Sequence, residues 1–136
     1  ADETMSRQIA KAIVDYRKNR KIETNEELVK IISSVKKNKG KKNPATKVFQ
    51  ALRIKVNNEF ENLKIALKKY LSLIERGGRI AVVSYHSGED RIVKNFIKNN
   101  IQYIKILTKK PLTAGYEEVK INPSARSAKL RVFEKI

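Results

Sequence analysis

Residues 76–91 have the sequence Arg76-Gly-Gly-Arg-Ile-Ala-Val-Val-Ser-Tyr-His-Ser-Gly-Glu-Asp-Arg91, which predicts a turn, a strand and the polar start of a helix. Ile80 to Val83 form a continuous apolar run, which is typical of a strand covered on both faces, as in a parallel sheet between helices. Ligands of such sheets bind where the strands end. The polar residues at that end are Ser84, His86, Ser87, Glu89 and Asp90. The sequence therefore predicts an α/β fold with its chemistry at the carboxyl end of this strand.

The segments before this strand have helical patterns. Apolar residues recur at helical spacing over residues 4–18, and Asp2 and Glu3 ahead of them are expected partners of the positive end of the helix dipole. A second helical pattern follows a Thr24/Glu27 capping box. Asn43-Pro44 predicts the start of a long third helix that bends near Asn57-Asn58 and ends at Gly77.

The segments after this strand predict one more helix, two more strands and a loop. The helix covers residues 92–99, and the strands cover Tyr103 to Leu107 and Ala128 to Glu134. Pro111 to Arg126 is predicted to be a long loop. A helical lobe followed by only three strands of an α/β sheet is the pattern expected of the later portion of a larger α/β protein.

The composition excludes several classes of protein. The chain has 136 residues with 40% hydrophobic content, enough for one domain or two small pieces with a real core. It has no cysteine, which excludes disulfides and thiolate metal sites. It has no apolar stretch of membrane-spanning length, and its first residues are acidic where a secretory signal is basic, so the expected location is the cytoplasm.

A net charge of +17 indicates a polyanionic partner, and nucleic acid is the first candidate. The alternative is a lysine-rich composition typical of a thermophile or of an AT-rich genome. The basic turn formed by Lys36, Lys37, Lys39, Lys41 and Lys42 is interpreted either as a phosphate contact or as a solvated linker.

Three groups of polar residues are candidates for function, one at the end of the strand, one on the long helix and one before the last strand. His86 is either a base or hydrogen-bond partner for a substrate or a structural residue. Glu89 and Asp90 are interpreted either as a carboxylate pair with a role in chemistry or as ordinary partners of a helix dipole. Gln50, Arg53 and Asn57 share one side of the long helix and are suited to reading bases or phosphates. Asn122 to Arg131, with Arg126 and Lys129, either anchors the last strand or contacts RNA. No glycine-rich cofactor loop is present, and no metal site is expected.

Three blocks together resemble a known family: Asn43 to Asn57, Gly77 to Lys94, and Asn122 to Arg131. In order and spacing they are similar to bacterial methyltransferases that modify the exocyclic amine of a cytidine in small-subunit ribosomal RNA, the MraW or RsmH family. The helices before them are similar too, so the resemblance covers nearly the whole chain. The chain departs from the family at five positions, with Asn43 for His, Lys47 for Arg, Tyr85 for Phe, Gly88 for Leu and Ser124 for Arg.

The resemblance implies an α/β fold in which a helical insertion domain for substrate recognition, residues 1–55, precedes residues 56–136. The second segment would supply the last three strands of an incomplete, Rossmann-like class I methyltransferase sheet. The cofactor would be S-adenosylmethionine, bound mainly by an amino-terminal part with no counterpart here, so no cofactor-binding residue is assigned in this chain and the isolated chain is expected to be inactive.

The resemblance also leads to a hypothesis for the site. Ser84 and His86 border the target base as candidate catalytic residues, and the RNA around it is held by Gln50, Arg53, Asn57, Arg126 and Lys129. The expected partners are small-subunit ribosomal RNA within the 30S subunit and the missing half of the enzyme, with no membrane. The alternatives are a stand-alone RNA-binding module, or an inactive fragment whose exposed sheet edge favours a homo-oligomer.

Overall fold

The computed structural model of the protein describes residues 3–36 and 43–136. The helices are α1 (Ser6–Asn19), α2 (Asn25–Val35), α3 (Thr46–Val56), α4 (Glu59–Leu73), α5 (Ser87–Asn99) and α6 (Tyr116–Ile121), with 3₁₀ turns at Ile101–Tyr103 and Pro123–Ser127. The strands are β1 (Arg79–Ser84), β2 (Ile104–Ile106), β3 (Leu112–Thr113) and β4 (Lys129–Lys135). The chain divides into two compact units, residues 1–57 and 58–136. Lys37, Lys39, Lys41 and Lys42 of the predicted basic turn, together with Asp2, lie outside the described residues.

The first unit packs α1, α2 and α3 around the buried residues Ile9, Ile32 and Ala45. The predicted cap of α2 is confirmed, because the Thr24 hydroxyl accepts a hydrogen bond of 3.2 Å from the Glu27 amide. The prediction that a helix starts at Asn43-Pro44 is wrong by a few residues. Asn43 Oδ1 accepts from the Ala45 amide at 2.9 Å, which forms a turn ahead of α3.

Glu3 joins the start of α1 to the end of α2. Its carboxylate accepts the Met5 amide at 3.2 Å and pairs with Lys36 Nζ at 2.6 Å. The hydrogen bond from Lys36 lowers the pKa of Glu3 below its usual value. Glu3 was expected as a partner of the helix dipole, and the structure adds this long-range ion pair.

The predicted long helix is interrupted near Asn57-Asn58, where the sequence predicted a bend. α3 ends at Val56 and α4 begins at Glu59, and between them Asn58 has a φ of 50°, in the left-handed region. Asparagine is one of the few residues other than glycine that adopts this conformation readily.

The second unit contains a small antiparallel sheet with β4 at its centre. The strand order is β1-β4-β2, and β3 also pairs with β4. Both β1 and β2 run antiparallel to β4, so the expectation that β1 sits among parallel neighbours is wrong in this chain. The last strand returns between the two earlier ones and separates them.

Helices α4 and α5 cover one face of this sheet. Leu67, Val93, Ile97, Ile104 and Phe133 form the buried core there, and Ile80 and Val82 pack against it. The prediction that β1 is covered on both faces is wrong within the described residues. Alternate strand residues point to opposite faces, and Val83, on the other face, is 51% exposed.

The segment from Pro111 to Arg126 is structured, contrary to the predicted loop. It contains β3, α6 and the second 3₁₀ turn. The other two strands are confirmed with small shifts, since β2 is shorter than Tyr103 to Leu107 and β4 runs one residue beyond Glu134. Across the described part of the chain, no helix has both the length and the apolar character that a membrane span requires.

Candidate functional site

His86 is the N-cap residue of α5. Its Nδ1 accepts a hydrogen bond of 3.4 Å from the Glu89 amide. The Glu89 carboxylate returns toward the cap, where Oε2 accepts from the amides of Tyr85 at 2.8 Å and His86 at 3.3 Å. This reciprocal arrangement is a capping box, in which the imidazole replaces the usual serine or threonine hydroxyl. His86 thus has a structural role as the cap of α5, and a role of His86 toward a substrate stays a prediction.

The other imidazole nitrogen of His86 is buried. Nε2 has no hydrogen-bond partner among the described residues and lies 3.4 Å from Glu89 Oε1, and the ring centroid lies 5.8 Å from that of Phe60. Glu59, His86 and Glu89 offer atoms within 4.8 Å of one another that could ligate a metal ion. However, Nδ1 acts as an acceptor, so the proton of the neutral ring belongs on Nε2, and a metal ligand needs that nitrogen deprotonated. The capping box explains the cluster better than a metal site does.

Ser84 ends β1 on the face covered by the helices. Its cross-strand partner in β4 is Lys129, and the residue as a whole is only 2% exposed. The same face carries Arg131, opposite Val82. Hence the structure brings Ser84 and Lys129 together, but it buries Ser84.

A buried ion pair fastens α5 to the centre of the sheet. Arg131 Nε donates to Asp90 Oδ1 at 2.7 Å and Nη2 donates to Oδ2 at 3.3 Å, while Lys129 Nζ lies 3.6 Å from Oδ2. The hydrogen bond from Arg131 lowers the pKa of Asp90, against the effect of burial, and Lys129 adds to the shift. Glu89 thus caps α5, and Asp90 pairs with the sheet, a partner that the helix-dipole interpretation did not predict.

A groove of about 340 Å³ lies on the opposite face, at the carboxyl end of β1. Val83 and Tyr85 form one side of it, and the segment between β2 and β4 forms the other. The residues that line this groove include Val83, Tyr85, Leu112, Thr113, Asn122 and Ser124. We call it the β1 groove.

The proposed RNA contacts lie in both units. α3 carries the half-buried Gln50 and the exposed Arg53, and the exposed Asn57 follows its last turn. Arg126 is exposed in the second 3₁₀ turn, and the side chain of Lys129 is 39% exposed beside Asp90. No assignment of these residues to RNA is tested by the geometry, so each stays a prediction.

Sequence reasoning missed Arg131 and the β1 groove. Arg131 and Phe133 are two residues apart in β4 and therefore lie on the same face. A charged residue on the face of a buried aromatic residue was the available signal of a buried ion pair. The groove had no comparable signal, because its wall is built from β3 and α6, which are too short to show a periodic pattern.

Comparison with known proteins gives one consistent family. A family model described as the MraW methylase family matches residues 1–136. A protein of Hydrogenobaculum sp. (strain Y04AAS1) named Ribosomal RNA small subunit methyltransferase H is 54% identical over 131 residues, which cover 96% of this chain and 44% of that protein. Proteins of the same name from Persephonella marina and Endomicrobium trichonymphae are 51% and 54% identical, over 99% and 98% of this chain and 48% and 47% of their own lengths. The chain thus spans slightly less than half the length of these relatives.

Proposed function

The chain belongs to the MraW methylase family, and from that premise we propose that it is one part of an S-adenosylmethionine-dependent methyltransferase acting on small-subunit ribosomal RNA. In this proposal the chain supplies the side of the active site that holds the RNA. The observation that carries the proposal is the match over the full 136 residues, together with relatives about half identical to the chain that are named as methyltransferases of that RNA.

The sheet supports the view that further strands complete it. β1 lies at one edge and, within the described ranges, pairs only with β4. An open strand edge is a pairing surface that stable proteins normally cover. We propose that β1, β2 and β4 are the last three strands of a Rossmann-like class I sheet, that residues 56–136 belong to that methyltransferase domain, and that residues 1–55 are a helical insertion for substrate recognition.

The methyl donor does not fit the residues of this chain. S-Adenosylmethionine belongs to the class of ligands held by a glycine-rich turn that follows a strand and opens a helix. Gly77, with a φ of 81°, precedes β1 instead of following it. At Gly88 in α5 the space is taken by the Phe60 ring, because an added Cβ would lie 2.6 Å from that ring. We therefore place the donor site in the part of the protein beyond this chain, and we expect the isolated chain to be inactive.

The charge supports RNA as the ligand. Lys and Arg number 31 against 14 Asp and Glu, and neutralising phosphates releases counterions from the nucleic acid. Arg53, Arg126 and Lys129 would hold phosphates, and the amides of Gln50 and Asn57 would contact bases or sugars. The proposed acceptor is the exocyclic amine of a cytidine, whose lone pair is shared with the ring, so the contribution of these residues is to position the nucleotide.

The test uses the protein that includes this chain and the additional length found in its relatives. It would be incubated with tritium-labelled S-adenosylmethionine and small ribosomal subunits that lack the modification, and the RNA would be digested and analysed by mass spectrometry. We expect the label on the exocyclic amine of one cytidine. Absence of label from the RNA, with a folded protein that binds the donor, would contradict the proposal.

The positive charge also favours a second candidate, a stand-alone RNA-binding module. That candidate predicts RNA affinity that falls steeply with salt and no methyl transfer by the complete protein. The same assay separates the two, because a binding module leaves the RNA unlabelled at every protein concentration.

A further inference from the structure

The direction of side chains along β1 decides which residues can meet a ligand. Ser84 shares the covered face with Ile80 and Val82, and it is 2% exposed. Val83 and Tyr85 point to the opposite side, where they are 51% and 57% exposed and line the β1 groove. The accessible surface at the end of β1 therefore belongs to Val83 and Tyr85.

The β1 groove has the size and chemistry of a small-ligand site. Its volume of about 340 Å³ lies at the lower end of the range of about 300–1,000 Å³ for such sites. Val83, Leu112 and Leu130 give it apolar walls, and Leu112 and Leu130 are cross-strand partners. Polar groups also line it, namely Thr113, Glu118, Asn122 and Ser124.

These groups suit a flat heterocycle with a mixed hydrogen-bonding edge. The exposed Tyr85 ring offers a stacking surface, which is the usual way to hold a base removed from its stack. A carboxylate such as Glu118 accepts from an exocyclic amine, and hydroxyl or amide groups such as Thr113 and Asn122 donate to ring nitrogens and carbonyls. Cytosine presents that combination on its Watson–Crick edge.

The chain around the groove is basic and exposed. Lys109 and Lys110 precede β3, Lys120 lies on α6, and Arg126 lies in the second 3₁₀ turn, each within a few residues of a groove-lining position. An apolar groove flanked by cations is complementary to a base on a phosphate backbone. The charge pattern thus favours RNA over a protein segment as the occupant.

We propose that the β1 groove receives the target nucleobase of the RNA, with the Tyr85 ring stacked on the base. The proposal rests on the proposed function and revises its site. Ser84 and His86 become positioning residues, one buried under the helices and the other capping α5, and Tyr85 with Thr113 contacts the base. Lys120 and Arg126 hold the flanking phosphates.

The first experiment locates the base without requiring methyl transfer. The complete protein would be irradiated with an RNA fragment of the small subunit that carries 5-iodocytidine at the target position, and the cross-linked peptide would be identified by mass spectrometry. We expect the cross-link at Tyr85. A cross-link confined to another segment would overturn the proposal, whether or not the protein transfers methyl groups.

The second experiment measures the contribution of the ring. Loss of base stacking in Tyr85→Leu is expected to raise the KM for the small subunit by about 5- to 150-fold, and Tyr85→Phe, which keeps the ring, is expected to recover most of that loss. Tyr70→Leu is the matched control, because Tyr70 is a comparably exposed tyrosine, 61%, on α4. An unchanged KM in Tyr85→Leu would overturn the proposal.

A different occupant would give a different pattern. If the remainder of the protein covers the groove, Tyr85→Leu lowers the thermal stability of the complete protein and reduces kcat, while the KM for the subunit stays constant. That result would also overturn the proposal. A protein that forms the Tyr85 cross-link but transfers no methyl group would retain the base site and refute the proposed function alone.

Discussion

Replacing Arg131 by methionine is expected to destabilise the second unit by about 3 kcal/mol, because it leaves the Asp90 carboxylate buried beside a neutral side chain. The side chains of Arg131 and Asp90 are only 10% and 14% exposed, and two hydrogen bonds join them. Removing one partner of such a pair costs about 3–5 kcal/mol. The lower end applies because Lys129, 3.6 Å from Asp90, remains as a partial partner.

The assay is urea denaturation followed by circular dichroism. A loss of about 3 kcal/mol lowers the urea midpoint by about 1–3 M for a small unit. The matched control is Arg79→Met, which removes the same side chain from an ion pair on the neighbouring strand. Arg79 lies 3.1 Å from Glu134 but is 70% exposed, so its loss is expected to cost about 0–1 kcal/mol. Equal midpoints for the two variants would refute the reasoning.

Three further predictions concern pH and backbone geometry. Arg131 lowers the pKa of Asp90, so the stability that the pair contributes is complete above about pH 4 and disappears as the pH falls through the lowered pKa. Urea denaturation should therefore show that the difference in unfolding free energy between wild type and Asp90→Asn shrinks in that acid range. A difference that stays constant with pH would contradict this prediction. Gly88→Ala places a Cβ 2.6 Å from the Phe60 ring and should cost about 1–3 kcal/mol. Gly115→Ala, where a Cβ meets nothing within 4 Å, should cost less, at most about 1 kcal/mol for the loss of a glycine N-cap of α6. Thermal unfolding compares the two variants, and equal losses would count against this packing. Asn58→Val should cost about 1–2 kcal/mol because residue 58 has a φ of 50°, whereas Asn58→Gly should be as stable as wild type. Calorimetry that ranks the two variants the other way would be incompatible with the left-handed conformation of residue 58.

The order of elements was predictable because their signals are local. The strand at Arg79–Ser84 was predictable from the apolar run Ile80 to Val83, since a glycine turn and a polar loop flank that run. The break of the long helix at Asn57-Asn58 and the cap at Thr24 also follow from residues whose side chains compete with the helical backbone. The family resemblance seen in the sequence is confirmed by the match over the whole chain.

The direction of strands and the faces of the sheet were not predictable in this way. Whether β4 runs parallel or antiparallel depends on a long-range pairing, with Ser84 opposite Lys129, that no local pattern encodes. The apolar run of β1 likewise could not show that helices cover only the face of Ile80 and Val82. As a result the sequence assigned the base contact to Ser84, which is buried, and where the base binds stays a proposal.

The proposed division of roles between this chain and the rest of the protein rests on the charge of the chain and on the chemistry of the methyl donor. The chain carries a net charge of +17, and the Phe60 ring occupies the space next to Gly88 at the start of α5, where an added Cβ would lie 2.6 Å from the ring. In our proposal this chain binds the RNA, and the rest of the protein binds the methyl donor. This division predicts that neither part acts alone.

Methyl transfer to small-subunit ribosomal RNA, measured in parallel for the isolated 136-residue chain and for the complete protein, tests this division most directly. We expect incorporation of tritium from S-adenosylmethionine into the RNA by the complete protein, and RNA binding without incorporation by the chain alone. Incorporation by the isolated chain would contradict the account, because the donor site would then lie among the residues described above.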